Sequence, residues 1–370
     1  MLFVFQLHPI GSFIIFSIDL KVGMMKIALT YSSKNGLLEE YRKRHRNGAE
    51  IPEDFFAEGD SPETINQVIK AIEENGHEVT GFEAFNGVAN ELEQYNPDLV
   101  FNMAEGLWGD FRESFIPVIC ERLNLPYTGS DPLTLAVSLN KARAKEILHY
   151  HRIATPAFQM FFPGETISIN GFGFPAIVKP VAEGSSKGIY NDSVVDDKNQ
   201  AKDRILTALE KYKEPIMLEQ FLPGSEFTVA VWGNGVDTEV LPIVSIDHSI
   251  LPQGARPIYS YEAKWIWDTT EKPLEIFKCP ATIEPILEEK IKNLVLKVYK
   301  VLRIKDWCRV DVRLNESNDP YIIELNPIPG ILPDPRDNSC FPKAARTAGF
   351  SYPAMLGNIV QIAAKRYGIN

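Results

Sequence analysis

Two runs of sequence are the most informative about how this chain folds: Trp307-Cys-Arg-Val-Asp-Val-Arg313 and Tyr321-Ile-Ile-Glu-Leu-Asn326. Each run alternates apolar and polar residues, and a short polar turn separates them. This pattern predicts two antiparallel strands joined as a hairpin, with every second side chain on the same face. With a register symmetric about the turn, Asp311 lies opposite Glu324.

The facing carboxylates of Asp311 and Glu324 repel each other, and a bound cation would remove that repulsion. Asn326 shares the face of Glu324 and lies opposite Arg309 in the same register. Oxygen ligands of this kind favour Mg²⁺ or Mn²⁺ over zinc, and Mg²⁺ commonly completes its shell with nucleotide phosphates. The alternative is an ordinary exposed hairpin in which Asp311 pairs with Arg309 or Arg313.

The segment after the hairpin, Pro327-Ile-Pro-Gly330, favours the metal-binding interpretation. A rigid loop that exposes backbone N–H groups next to an acidic pair can hold an oxyanion. Upstream, Lys179 ends an apolar strand, and the small-residue loop Val181–Gly188 follows it. Such a loop can wrap N–H groups around phosphate oxygens, although it lacks the Gly-Lys-Ser/Thr order of a Walker A loop.

A further candidate for nucleotide binding is Glu219-Gln-Phe-Leu222, which joins two blocks of predicted structure. Its backbone is placed to bind the adenine edge, and Glu226 to accept hydrogen bonds from ribose hydroxyls. The alternative is that Glu219 and Glu226 are solvated strand ends. Lys264 lies in a loop rich in aromatic residues, and its sequence context alone indicates little.

The sequence after residue 24 alternates strand and helix patterns, which predicts a parallel sheet with helices on its faces. Lys26–Tyr31 is the first strand, a charged loop follows at 34–59, and Ser61 with Pro62 begins a helix. We therefore predict an α/β fold in three parts. These are an N-terminal α/β domain at 25–132, a central lobe at 133–215 and a C-terminal lobe at 216–370.

Composition excludes several classes of protein. The 370 residues carry a formal net charge of −11, which argues against a general nucleic-acid or membrane-surface role. The four cysteines lie far apart, which fits free thiols in a reducing cytosol better than a disulfide framework or zinc site. Residues 1–24 are interpreted as an N-terminal extension or a mis-assigned start, with a signal peptide as the alternative.

Taken in order, these motifs resemble the ATP-grasp fold, and most closely the D-alanine–D-alanine ligase family. The resemblance runs from about residue 102 to the C-terminus. It rests on Leu125-Pro-Tyr-Thr-Gly-Ser130, Asn140-Lys141, Val178-Lys-Pro180, Glu183-Gly-Ser-Ser186, Glu219-Gln-Phe-Leu-Pro-Gly-Ser-Glu226, Tyr261-Glu-Ala-Lys264, Arg309-Val-Asp311 and Glu324-Leu-Asn-Pro-Ile-Pro-Gly330. It implies a parallel-sheet preATP-grasp domain followed by a two-lobed ATP-grasp module. It also implies an ATP-dependent ligase that activates a carboxylate as an acyl phosphate and joins it to an amine.

The resemblance implies a role for each matched residue. ATP would be bound by Lys141, Lys179, Glu183, Ser185, Ser186, Glu219, Gln220, Phe221, Leu222, Glu226 and Lys264. Two Mg²⁺ ions, or Mn²⁺ in their place, would be ligated by Asp311, Glu324 and Asn326. The catalytic groups would be Arg309 and the Gly330 N–H at the oxyanion of the tetrahedral intermediate, with Lys264 and Ser185 at the transferred phosphate.

Three departures from the family bear on the substrate. The family's glycine-serine-glutamate motif is not visible after Tyr31-Ser-Ser33. Its His-Gly pair reads Glu105-Gly106 here, so Glu105 is a candidate for the substrate ammonium. The loop after Gly330 is longer and rich in proline, and Ser339 is the residue in it that we match to the second-substrate contact.

The expected partners are a small-molecule carboxylate and an amine, such as two amino acids, with neither nucleic acid nor membrane involved. We expect a cytoplasmic protein, with a homodimer as one assembly that the family allows. A D-alanine–D-alanine ligase or a close dipeptide-forming relative is the leading function. The alternatives are an ATP-grasp ligase with other small carboxylates, an ATP-grasp kinase, and a catalytically silent nucleotide-binding regulator.

Overall fold

The computed structural model describes residues 23–44, 51, 54–269 and 272–369. The expectation of an extension at residues 1–24 falls almost wholly outside the described residues. Across the described ranges, no helix is both long and apolar enough to cross a membrane.

The N-terminal part of the chain forms a parallel three-stranded sheet, as the alternating pattern predicts. Its strands are β1 (Lys26–Tyr31), β2 (Glu78–Glu83) and β3 (Leu99–Asn102), in the order β2-β1-β3. Parallel neighbours require crossover connections. The helices of this part are α1 (Lys34–Arg44), α2 (Pro62–Glu73), α3 (Val88–Tyr95) and α4 (Phe115–Leu123).

Helix α1 corrects one expectation, because we predicted a loop over 34–59. Its sequence has little amphipathic pattern, but Leu37 and Tyr41, four residues apart, bury their side chains against Phe55. Helices of this length gain most of their stability from tertiary packing rather than from propensity, so the local pattern missed it. Helix α2 begins where predicted: the Ser61 hydroxyl accepts the Thr64 N–H at 3.0 Å, and proline fills the first helical position.

The middle of the chain forms an antiparallel four-stranded sheet in the order β4-β7-β5-β6. Two helices precede it, α5 (Pro132–Leu139) and α6 (Lys141–Tyr150). The strands are β4 (Phe158–Phe161), β5 (Ala176–Pro180), β6 (Val194–Val195) and β7 (Ile216–Gln220), and α7 (Lys198–Tyr212) packs on the sheet. Because β7 belongs to this sheet, the sheet extends beyond residue 215; the three domain boundaries stay predictions.

The third sheet contains the predicted hairpin and has the order β11-β10-β8-β12-β13, with β9 paired to β8. Its strands are β8 (Glu226–Trp232), β9 (Glu239–Val240), β10 (Val244–Ile246), β11 (Phe277–Lys278), β12 (Trp307–Leu314) and β13 (Pro320–Asn326). The helices are α8 (Pro285–Val301), α9 (Cys340–Thr347) and α10 (Tyr352–Tyr367).

The register of the hairpin is as predicted at the candidate metal ligands. Asp311 is paired with Glu324, and Arg309 with Asn326. An irregularity follows Asp311, so Val312 pairs with Ile322 and the register shifts by one residue towards the turn. Such a bulge increases the local twist and bends the strand beside the acidic pair.

One hydrophobic core joins the first sheet to the third. Ile27 and Phe101 of the first sheet share it with Trp307 of β12, Phe341 of α9 and Val360 of α10. Burial of this apolar area fixes the N-terminal part against the hairpin sheet. The carboxyl ends of β1 and β3 are thereby held close to the loop that follows β13.

A buried ion pair adds a polar tie between distant parts of the chain. The fully buried Asp306 accepts hydrogen bonds from the Gly129 N–H (2.8 Å), the Asn234 amide (2.8 Å) and Arg366 of α10 (2.7 and 2.9 Å). Removal of one partner from such a pair is costly, because the other charge is left without compensation.

We expect Asp306→Ala to lower the free energy of unfolding by about 3 kcal/mol, because Arg366 and the Gly129 N–H lose their acceptor. Urea denaturation followed by circular dichroism measures this change. The matched control is Asp237→Ala, whose carboxylate pairs with Lys365 of the same helix at the exposed surface (2.7 Å). The control should lose less than about 1 kcal/mol; equal losses for the two variants would contradict the assignment.

Candidate active site

The predicted site residues converge on a cleft between the four-stranded sheet and the hairpin sheet. The four-stranded sheet contributes Lys179 and Glu219, and the hairpin sheet contributes Glu226, Asp311 and Glu324. These two antiparallel sheets therefore face each other across the cleft.

The acidic pair of the hairpin is half-buried and surrounded by cations. The Arg309 guanidinium contacts Asp311 at 2.9 and 3.1 Å, and Lys141 lies 3.4 Å from Glu324. Burial would raise the pKa of Glu324, but Lys141, Lys179 and Arg309 outweigh it and lower that pKa to about 2. The Asp311–Arg309 pair that we considered as the alternative does exist, but within the cleft rather than on an exposed hairpin.

The pKa of Asp311 moves in the opposite direction. Burial raises it, Arg309 opposes this, and the charge of Glu324 raises it further. The Asn326 amide lies 3.3 Å from Asp311 and 3.5 Å from Glu324, so all three predicted metal ligands are adjacent. The charge of Glu324 thus disfavours the charged form of Asp311, and added positive charge would relieve this repulsion.

Two lysines clasp one carboxylate on the opposite wall. Lys179 and Lys145 lie 2.8 and 2.7 Å from the two oxygens of Glu219, and all three side chains are buried. Burial lowers the pKa of Lys145 to about 8, against the raising effect of Glu219. The carboxylate of Glu219 therefore positions the lysines, while its proposed adenine contact stays a prediction.

The connection after β7 also lies in the cleft. Phe221 donates its N–H to the Pro175 carbonyl at 3.1 Å, and its ring packs under Arg313 at 4.5 Å. Gln220 and the buried Leu222 line the same wall. The backbone N–H of Phe221 is thus used within the protein, so adenine would be bound by other groups of this connection.

Glu226 is held by an arginine and a histidine at one side of the cleft. Arg313 contacts it at 2.8 Å and His248 at 3.0 Å. Burial would raise the pKa of Glu226, but the His248 hydrogen bond and the Arg313 charge lower it overall. An ionised carboxylate at this position can accept hydrogen bonds from hydroxyl groups, as the ribose prediction requires.

Two loops meet over the cleft. Ser185 and Ser186 adopt left-handed backbone conformations, with φ of 51° and 60°. The Ser186 hydroxyl donates to the Tyr259 carbonyl at 2.9 Å, and the Trp265 indole N–H donates to the Ser185 carbonyl at 3.1 Å. Lys264 precedes Trp265 in the second loop and lines the cleft, and burial together with the charge of Arg309 lowers its pKa. The loops close the cleft from above.

Lys141 completes the link between the phosphate candidates and the acidic pair. Its ammonium donates to the Glu183 carbonyl at 2.5 Å and lies beside Glu324. The Glu183 side chain accepts from Lys187 at 2.9 Å. The side chain of Glu183 is therefore directed to Lys187, and its backbone carbonyl is directed to Lys141.

A larger pocket adjoins this cleft. Its walls come from residues 57–61 and from the loop 328–340, and Lys264 and Arg309 line both cavities. Glu105 lies in this pocket, where burial and the charges of Glu58 and Glu113 raise its pKa well above the usual range. Burial likewise raises the pKa of Asp60 to about 7.

Gly330 and Ser339 also line the larger pocket, but the Ser339 hydroxyl is hydrogen-bonded within its own loop. Its hydroxyl donates to the Gly330 carbonyl at 2.8 Å and accepts the Leu332 N–H at 3.2 Å. Ser339 thus braces the loop that carries Gly330, and direct contact with substrate stays a prediction.

Several residues of the site were missed by sequence reasoning. Lys145 lies four residues after Lys141 on α6, and this helical spacing was an available signal. Glu58 and Asp60 lie in the segment that we predicted as part of a long loop. No local sequence pattern there indicates which part of the fold these side chains contact. Arg112 joins Glu58 to Glu183 at 2.9 and 3.2 Å; it too becomes visible only in three dimensions.

The arrangement of a parallel N-terminal sheet and two facing antiparallel sheets is the ATP-grasp fold, as predicted. The solved structure of D-alanine–D-alanine ligase from Bacillus anthracis complexed with ATP is similar, with a TM-score of 0.68 and 21% identity. That match covers 93% of this chain and 99% of the other, and it establishes the fold.

The family follows from sequence comparison. A family model described as "D-ala D-ala ligase C-terminus" matches residues 153–361, more than half of the chain. The D-alanine–D-alanine ligase of Aquifex aeolicus is 32% identical over 301 residues, which is 81% of this chain and 94% of that protein. The corresponding ligase of Cupriavidus taiwanensis is 32% identical over 78% of this chain and 82% of its own length. An uncharacterized protein of Sinorhizobium fredii is 31% identical over 82% of this chain and 88% of its own. The chain belongs to the D-alanine–D-alanine ligase family, which confirms the resemblance.

We expect Glu219→Gln to destabilise the protein by about 3 kcal/mol at neutral pH, because two buried ammonium groups lose their counter-charge. Lys145 already has a pKa of about 8, below its ordinary 10.5, and the variant should lower it further. Between that lower pKa and pH 8, Lys145 of the folded variant is neutral, whereas Lys145 of the folded original protein is still charged. The stability difference should therefore shrink as pH rises towards 8 and then level off.

Urea denaturation of both proteins between pH 6 and pH 9 tests this expectation. Glu288→Gln is the control, because its carboxylate pairs with Lys292 on the exposed face of α8. It should change stability by less than about 0.5 kcal/mol at every pH. A stability difference for Glu219→Gln that does not vary with pH would contradict the lysine clamp.

Proposed function

We propose that this protein is an ATP-dependent ligase that joins a carboxylate to an amine through an acyl phosphate. One observation carries the proposal: Lys264 and Arg309 line both the smaller cleft and the larger pocket. Cationic groups therefore lie where a nucleotide phosphate and a second substrate would meet. Phosphoryl transfer depends on positioning and on positive charge rather than on covalent help from the protein.

In this proposal the smaller cleft holds ATP, as in the Bacillus anthracis relative whose solved structure contains it. Lys141 and Lys179 provide charge for the phosphates, and the backbone of Ser185 and Ser186 covers them. The connection after β7 receives the adenine, and Glu226 the ribose hydroxyls. The strand register supports this order, because Glu226 pairs with Arg313, two residues along β12 from Asp311.

Mg²⁺ fits the acidic pair by the chemistry of its donors. Asp311, Glu324 and the amide oxygen of Asn326 offer only oxygen ligands, which suit Mg²⁺ or Mn²⁺. Among the residues that the structure describes, no group of three His, Cys, Asp or Glu side chains is placed to hold an ion alone. Nucleotide phosphates would therefore complete the shell. Up to two ions bound there would neutralise charge on the transferring phosphoryl group.

The protein's own groups account for the remaining steps. The substrate carboxylate attacks the terminal phosphate of ATP, ADP leaves, and Lys264 stabilises the charge on the phosphoryl group in transit. The neutral amine of the second substrate then attacks the acyl phosphate. The C–O bond to phosphate breaks as the amide bond forms, and a proton of the amine leaves with the phosphate. Arg309 and the Gly330 N–H stabilise the oxyanion of the tetrahedral intermediate.

Exclusion of water is a second requirement of this chemistry, because an acyl phosphate hydrolyses when it is exposed. The Trp265–Ser185 and Ser186–Tyr259 hydrogen bonds join the two loops above the cleft. Opening and closing of these loops would admit substrates and then seal the site. This arrangement favours a ligase over a nucleotide-binding regulator, which has no need of a sealed reaction chamber.

The named relatives support D-alanine as the substrate at both positions. Asp60 and Glu105 line the larger pocket. We propose that they hold a substrate ammonium, whose charge would favour the ionised form of Glu105, in place of the family motif that is absent after Ser33. We further propose a cytoplasmic site of action, since all four cysteines are free thiols, and a homodimer as the assembly. Another small amino acid at either position is the alternative.

A phosphate-release assay with pairs of D- and L-amino acids tests the proposed function. We expect release only when ATP, a carboxylate and an amine are all present. Asp311→Asn and Lys179→Ala should each reduce turnover well over about tenfold, through loss of stabilisation worth several kcal/mol. Lys297→Ala, on the exposed face of α8, is the control.

Near-normal rates in both site variants, or release that does not depend on the amine, would refute the ligase assignment. Mass spectrometry of the product separates a ligase from a kinase, because a kinase leaves a stable phosphorylated product. Binding of ATP without turnover across the whole panel of amino acids would favour the regulatory alternative.

The raised pKa of Asp60 generates a prediction about pH. The carboxyl group is neutral below about pH 7 and charged above it, and only the charged form attracts an ammonium group. We expect kcat/KM for the first amino acid to rise up to about tenfold between pH 6 and pH 8. The Asp60→Asn variant should have a lower and flatter profile, and Glu73→Gln on α2 should keep the original one. An unchanged profile in Asp60→Asn would contradict the role.

A further inference from the structure

The segment 54–60 crosses from the N-terminal sheet to the loop that would bind phosphate. One end of it is tied to β1: the Asp60 N–H donates to the Ser32 carbonyl at 2.8 Å, and the Lys34 N–H donates to the Asp60 carbonyl at 3.1 Å. Its other end is anchored by Phe55, whose ring packs edge-on against Tyr41 of α1 at 4.7 Å. The segment is therefore fixed to the N-terminal part of the chain near both of its ends.

Glu58 reaches from this segment to the start of the phosphate loop, residues 183–188. Its carboxylate accepts the Gly184 N–H at 2.7 Å and pairs with the buried Arg112 at 2.9 Å. Arg112 in turn donates to the Ala182 carbonyl at 2.6 Å. Burial would raise the pKa of Glu58, but Arg112 and Lys187 lower it overall, so the group is ionised. Charged acceptors make stronger hydrogen bonds than neutral ones.

Asp54 reaches the other end of the same loop. Its buried carboxylate accepts the Gly188 N–H at 3.1 Å and the hydroxyls of Tyr190 and Tyr212 at 3.1 and 2.6 Å. Two carboxylates that lie four residues apart in one segment thus hold N–H groups that lie four residues apart in the loop. The N–H groups of Gly184 and Gly188 are used by this segment and are not offered to phosphate.

The residues between these two anchors need external support. Ser185 and Ser186 both have positive φ, and a non-glycine residue in that region costs about 1–3 kcal/mol and persists only when its surroundings enforce it. The two carboxylates fix the loop on either side of the strained pair. Glu58, Gly59 and Asp60 also line the larger pocket. One segment therefore touches both the loop over the nucleotide cleft and the wall of the substrate pocket.

We propose that Asp54 and Glu58 are positioning residues that hold the phosphate loop in its working conformation and couple it to the substrate pocket. The identity of the ligand that the loop binds rests on the proposed function above. The positioning itself rests on the hydrogen bonds from the Gly184 and Gly188 N–H groups to Glu58 and Asp54. Because coupling between two sites is reciprocal, ordering of the loop by a ligand should also order the segment.

Amide hydrogen exchange measured by mass spectrometry tests the positioning without any need for turnover. In the protein without nucleotide, Asp54→Ala and Glu58→Ala should each accelerate exchange of the peptide that covers 181–190 by at least about tenfold, since each removes the acceptor of a loop N–H. Exchange over β8, residues 226–232, should stay the same. Asp54→Asn and Glu58→Gln retain an oxygen acceptor and should restore most of the protection.

The matched control is Glu39→Ala, which removes an exposed carboxylate from α1 and should leave exchange over 181–190 within twofold of the original. Where the protein is active, the two alanine variants should also lower kcat more than they raise KM for ATP. Unchanged exchange over 181–190 in both alanine variants would overturn the proposal. Faster exchange with unchanged kcat would overturn it as well.

A measurement on the unaltered protein applies even if the alanine variants do not fold. Addition of Mg²⁺ and ATP without amino acids should slow exchange over both 181–190 and 54–60. Protection of 181–190 alone would refute the coupling. No protection of either peptide would count against the proposed nucleotide function, while the comparison of variants without nucleotide would still decide the positioning role.

Discussion

The acidic pair across the hairpin is the constraint on which the rest of the site depends. Asp311 and Glu324 face each other on neighbouring strands, and like charges in that position destabilise a sheet. The protein offsets this with Arg309 on the same sheet and Lys141 from α6. The pairing is only partial compensation, because burial still raises the pKa of Asp311. The fold therefore leaves the negative charge of this pair incompletely neutralised.

The four-stranded sheet and the hairpin sheet form the cleft around this acidic pair. The lysine clamp on Glu219 and the hydrogen-bonded loops that carry Ser185 and Trp265 form one side of the cleft, and the hairpin forms the other. The larger pocket opens on the same cations from the side of the N-terminal sheet. In the proposed function, activation and condensation would share one chamber, because Lys264 and Arg309 line both the cleft and the larger pocket.

The sequence predicted those features that depend on local pattern. Alternation gave the hairpin and the facing of Asp311 with Glu324, and the Ser61–Pro62 pair gave the start of α2. Tertiary packing decided the rest. Helix α1 forms because Leu37 and Tyr41 find Phe55, and Glu58 reaches Gly184 across 126 positions of sequence. Glu58, Asp60 and Arg112 therefore became visible only in three dimensions, because their contacts are long-range and they form no periodic motif.

Anomalous diffraction from a crystal grown with Mn²⁺ and a non-hydrolysable ATP analogue tests the central claim most directly. The account predicts a manganese peak at coordination distance, about 2.2 Å, from carboxylate oxygens of both Asp311 and Glu324, with analogue phosphate oxygens in the same shell. A bound analogue with no manganese between those two side chains, and with both carboxylates directed to solvent, would contradict it.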